Sequence, residues 1–106
     1  MAMLESPIEL MDLPSGEPTE FRVLRYEIGE VTIVPRGGPA GKIVAAIRLH
    51  VPREDKPVGV PWWDVTAGNL IAQLKPLLPG IVSSRRRIRV TKHGTPPAAR
   101  HQLDLL

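Results

Sequence analysis

The sequence predicts a small α+β domain: an antiparallel sheet of about four strands, in chain order β-β-β-α-β, with one helix packed on a face. Three observations carry that expectation. The chain has 106 residues, enough for one hydrophobic core and too few for two domains. Its hydrophobic content, 42%, is that of a folded protein. Apolar residues alternate in four stretches, and they recur at three- and four-residue steps in one place, after residue 65. A small open β-barrel capped by the helix satisfies the same pattern. The whole chain, 1–106, reads as a single domain with an arm at each end.

Residues 1–19 form the first arm. The opening twenty residues hold Glu5, Glu9, Asp12, Glu17 and Glu20 and no base. Ser6-Pro7-Ile8-Glu9 has the capping-box pattern with proline at the first helical position, which predicts a helical turn or two over 7–12. The competing reading is an acidic tail that orders only on docking. Either way, the domain is expected to stay folded without 1–19. Pro14, Gly16 and Pro18 end any regular element.

Phe21 to Tyr26 alternates, but the apolar phase switches between Val23 and Leu24, as at a bulge. Gly29 allows a bend before Glu30–Val34, where Val31 and Ile33 share a face. Arg36 to Gly41 reads as a hairpin loop. Ile43, Ala45, Ile47, Leu49 and Val51 then line one face of the clearest strand. Its other face passes from Val44 and Ala46 to Arg48 and His50, so its end is expected to meet solvent. Pro52 to Pro61 is a polar connection. Thr66 is the expected N-cap of the helix, with Val65 and Leu70 as a hydrophobic staple. Leu70, Ile71, Leu74, Leu77 and Leu78 make its apolar stripe. Pro76 distorts the last turn, and Pro79-Gly80 closes the element. Arg85 to Thr91 alternates again, with Arg85, Arg87 and Arg89 on one face. Residues 94–106, rich in Pro and Ala at their start, read as a mobile tail that Leu103, Leu105 and Leu106 can anchor.

Charge is segregated. The first twenty residues sum to −5, residues 21–80 to +3 and residues 81–106 to +5, within a formal net charge of +3. Arginine outnumbers lysine ten to four, and its planar fork suits phosphate or carboxylate. Arg85, Arg86, Arg87, Arg89 and Lys92 therefore make a compact cationic surface, with Arg48, His50 or Trp62 as accessory contacts. Neighbours on an extended segment point opposite ways, so one ring of Trp62-Trp63 belongs in the core and the other faces outward. The outward ring is a candidate stacking platform or interface anchor.

Catalytic chemistry has little to stand on. No cysteine is present, which excludes disulfides, thiolate metal sites and cysteine nucleophiles. His50, His93 and His101 are widely spaced and form no ligand pair. Gly41-Lys42 fails as a phosphate loop, because Arg36 replaces the first glycine, Ile43 replaces the hydroxyl residue, and a strand follows. Ser83-Ser84 lacks a nearby base, and Glu54-Asp55 is an adjacent pair in a polar loop. No metal or cofactor is expected. No apolar run reaches the ~18 residues of a membrane span, and no signal-peptide pattern opens the chain, which predicts a cytoplasmic protein without a membrane partner. The expected function is a non-catalytic binding module that binds nucleic acid through its basic C-terminal strand. One alternative is a protein-interaction or assembly subunit, a homo-oligomer included, joined by acidic arm and basic strand. The other is an enzyme of unknown type.

Overall fold

The computed structural model describes residues 3–11, 13–34, 41–94 and 99–106. The order is β1 (Thr19–Arg22), β2 (Arg25–Ile33), β3 (Lys42–His50), β4 (Trp62–Val65), α1 (Gly68–Leu74), α2 (Leu78–Ser84), β5 (Arg87–His93) and β6 (Arg100–Leu105). Among the described residues the strands make two antiparallel sheets, ordered β1-β5-β6 and β2-β3-β4. The expected single sheet of four strands with one helix is thus corrected to two three-stranded sheets with two helices, and no closed barrel forms.

The phase switch at Val23-Leu24 marks the division. Val23 is buried and Leu24 half-exposed, and the chain leaves one sheet for the other between them. A sheet change, rather than a bulge, flips the buried face. Gly29 causes no bend, because it sits in register opposite Ala46 within one continuous strand. The β2–β3 ladder runs from Arg25↔His50 to Ile33↔Lys42, while β4 pairs only with Ile47–His50. Among the described residues, 42–46 of β3 therefore have a strand neighbour on one side only. The predicted loop at 36–41 lies, save for Gly41, outside the described residues.

Both sheets turn their inner faces to one core. Phe21, Ile88 and Val90 come from one sheet, Ile47, Leu49 and Val65 from the other, and Leu70, Leu74, Leu78 and Ile81 from the helices. Phe21 and Trp63 join the sheets, ring centroids 5.0 Å apart. The helical stripe is real but broken in two. Pro76 lies between α1 and α2, and Pro79 opens α2 in its first turn, where a missing N–H costs nothing, instead of closing a helix. Ala67 stands at the N-cap in place of Thr66, and Leu77 is exposed.

The described residues of both arms pair with the sheets. No helix forms between residues 3 and 11. The segment bridges Glu30 on the outer edge of β2 through Met3 and Asp64 on the outer edge of β4 through Leu10. It therefore crosses the outer face of that sheet, before Leu13 enters the core and Ser15 bridges Lys92. At the other end, residues 100–105 are a strand on β5, not a mobile tail. Residues 95–98 lie outside the described set. Asn69 and Gln73 on α1 hold the start of that strand by donating to the carbonyls of Ala99 (3.3 Å) and His101 (2.7 Å).

Candidate interaction surfaces

Cross-strand register brings three of the expected anion-binding residues together. Arg48 lies between Glu27 and Asp64, and His50 between Arg25 and Trp62, all on the outer face of β2-β3-β4. Arg48 is only 4% exposed and Asp64 fully buried. The guanidinium donates to both Asp64 oxygens, at 2.7 and 3.3 Å, and lies 4.7 Å from the Trp62 ring centroid. Arg48 Nη2 and the Trp62 indole N–H both donate to the Pro7 carbonyl of the arm, at 3.4 and 3.2 Å. His50 Nε2 is 2.6 Å from Glu27, and that hydrogen bond draws the Glu27 carboxyl below the usual carboxylate range. Arg48 therefore does not meet solvent, because the arm and Asp64 cover it. Trp63 is the ring that packs on the core, and Trp62 the one on the outer face.

The arm is fixed by polar contacts that sequence reading missed. Glu9 donates its main-chain N–H to Asp64 (2.9 Å), and its carboxylate receives the buried Lys56 ammonium. Lys56 also donates to the carbonyls of Val58 and Val60, 2.9 and 2.7 Å away. That turn needs Gly59, whose φ is +77°, with its carbonyl accepting from Arg53 at 2.5 Å. Residues 3–11 of the acidic arm thus dock on the β2-β3-β4 sheet, and Ser15 and Thr19 lie beside β5.

The Arg-rich segment is differently built than expected. Arg85 is the C-cap of α2 in the left-handed region, φ +54°, and does not belong to β5. Arg86 follows it and donates to the Leu106 main-chain oxygen at 2.6 Å. Arg87 and Arg89 do share the outer face of β5, but β5 is the central strand, between β1 and β6. Arg89 therefore has carboxylates on both sides, while Arg87 faces Arg22 on β1. Glu20 takes both Arg89 nitrogens at 3.1–3.2 Å, Asp104 flanks Arg89 in register, and Arg22 across from Arg87 pairs with Glu54 and Asp55. Burial raises the Asp55 carboxyl, but hydrogen bonds from the Arg22 main chain and side chain outweigh it and leave the group below its ordinary range. None of the four aromatic residues lies on this face. Lys92 lies farther along β5, near a cavity of about 330 Å³ that Thr66, Asn69 and His101 also line. Burial, with Lys92 adding to it, lowers the His101 pKa, and Asn69 occupies its Nδ1 at 2.9 Å. Among the described residues no group of three or more His, Asp or Glu could hold a metal ion.

The hairpin edge is the surface that sequence reading did not single out. Ile43 is 60% exposed, and Ala45 and Ile28 on the same inner face are exposed as well. Antiparallel strands point the N–H and C=O of successive residues to alternate sides. Asp64 spends its main-chain groups on the arm, and Glu30 accepts from Leu4. The odd residues of β3 therefore face β4, and the even residues face β2. Ile43 and Ala45 lie beyond the end of β4, so their main-chain groups point outward along an edge that is unpaired among the described residues. The alternation of 43–51 was visible in sequence; the shortness of the strand beside it was not.

Among the described residues no helix is long and apolar enough to cross a membrane. Comparison with protein-family models, with curated proteins and with solved structures returns no match.

Proposed function

We propose that the protein is a non-catalytic interaction module that associates with protein through the β3 edge of its β2–β3 hairpin. The observation that carries this reading is that Ile43 and Ala45, exposed on one face of β3, have among the described residues no strand beside them on the β4 side. Unpaired, flat, apolar edges are normally shortened, covered or charged, and an extended partner strand satisfies both the polar and the apolar groups at once. The basic strand offers less to nucleic acid than its composition promised. Arg89 is flanked by Glu20 and Asp104, and no aromatic residue lies on that face for a base to stack on.

A second reading keeps polyanion binding at the junction of α2 and β5, where Arg85, Arg86 and Arg87 are consecutive and exposed. A photo-crosslinking amino acid placed at position 43, and separately at position 87, tests the two together. Cross-links to protein from position 43, with none to nucleic acid from position 87, are expected. The reverse pattern would overturn the proposal.

A further inference from the structure

The hairpin edge is self-complementary, which points to its partner. On the open side of β3, Ile43 and Ala45 present two N–H and two C=O groups, and the next odd residue, Ile47, is already paired with Val65 of β4. A second copy can approach antiparallel in three registers. Centred on Ala45, it would set Ile43 against Ile47, whose groups are taken. Centred on Ile43, it would leave Ala45 facing Gly41. Centred on Val44, it sets Ile43 against Ala45 twice, and every open group of both copies finds a partner.

Side chains agree with that register. Each exposed Ile43 meets a small Ala45 across the strands on the inner face, a large-against-small pair that packs without collision. Lys42, the one charge in the segment, falls opposite Ala46 and not opposite its own copy. The two Lys42 side chains end up about 13 Å apart along the strands, so the pairing brings no like charges together. The outer edge of β2 is a poorer site, because Leu4 of the arm already donates to Glu30 in its middle.

We propose that the protein forms a homodimer by two-fold antiparallel pairing of β3 centred on Val44, with Ile43 of one copy opposite Ala45 of the other. This rests on the reading of the hairpin edge as the interaction surface. The pairing is short, and small interfaces are weak, so dissociation in the micromolar range or above is expected.

Two measurements on the full chain test it. Sedimentation should show the mass rising from 11.7 kDa toward twice that value as concentration increases from about 5 to about 500 µM, the range a small interface implies. Ala45→Pro removes an N–H that points outward and spares the ladder to β2, so it should stay folded and monomeric throughout. Ile43→Lys is the second variant, with the same expected result, should the proline disturb the fold. Register is read by cross-linking, since the chain has no cysteine of its own. Val44→Cys places two sulfurs in a non-hydrogen-bonded pair, about 4.5 Å between Cα atoms, and should oxidise to a disulfide-linked dimer. Lys42→Cys should not. A wild type that stays monomeric at the highest concentration overturns the proposal, as does dimerisation that survives both Ala45→Pro and Ile43→Lys, or cross-linking from position 42 in preference to 44. A monomer whose position 43 still cross-links another protein would end the homodimer and leave the interaction reading standing. If position 43 cross-links nothing, both fall.

Discussion

Asp64 ties β4 to β3 and to the arm through one buried carboxylate. It accepts from Arg48 twice and from the Glu9 N–H, and neither carboxylate nor guanidinium reaches water. Asp64→Ala leaves a buried cation without its partner and is expected to cost about 3–5 kcal/mol, read by urea unfolding. Arg89→Ala breaks a half-exposed pair with Glu20 and should cost less than about 1 kcal/mol. Equal losses would mean that burial does not separate the two pairs. Asp55 supplies a pH test. Its carboxyl is depressed in the folded state, so its contribution to stability is present above the unfolded value and is lost as pH falls through the folded one. Following its carboxyl carbon by NMR should show titration below the ordinary aspartate range, and Arg22→Ala should move it part of the way back. The part that remains comes from the Arg22 N–H, which the substitution keeps. From sequence, Arg48 is simply a polar residue on the outer side of a strand. Its burial depends on Asp64, sixteen residues on, and on Pro7, forty-one residues before, and no local pattern encodes those distances.

At the scale of elements, β3 and the helical leucines were legible, whereas β2, split in the reading by a bend at Gly29, and the short strands were not. β3 lies within a residue of its expected bounds, and Leu70, Leu74 and Leu78 face the core as their spacing demands. Leu74→Ala should cost about 2–5 kcal/mol, the range for truncating a buried leucine; a loss below about 0.5 kcal/mol would contradict the packing described. β4 has four residues, two of them tryptophans in succession, and it offers no alternation to read. β6 follows a Pro- and Ala-rich stretch that masks the pattern of Leu103 and Leu105. Both short strands take their definition from a longer neighbour. The arm was misread for a similar reason. Its capping-box residues favour a helical start, yet single bridges to β2 and β4 outweigh one turn of helix. Val31 and Ala46 are buried outside the main core, on the face the arm crosses. Deleting residues 1–11 should therefore lower stability by about 2 kcal/mol or more, the worth of one valine returned to water. Unchanged stability in urea would mean that the arm is an accessory after all.

For the whole molecule, part of the charge at both ends of the sequence is paired within the chain. Glu9 meets Lys56, Glu20 meets Arg89, and Arg22 meets Glu54 and Asp55. Charge segregation along the sequence therefore says little about charge segregation on the surface, because the topology folds one end against the middle and the other against β1. At the end of the hairpin, where β4 stops short, Ile43 and Ala45 remain exposed. Amide hydrogen exchange across β3 tests that arrangement most directly. In dilute protein the Ile43 and Ala45 amides should exchange quickly while those of Val44 and Ala46, bonded to β2, stay protected. Raising the concentration should slow Ile43 and Ala45 and leave the other two unchanged. Four amides that exchange alike, at a rate independent of concentration, would contradict both the open edge and the association built on it.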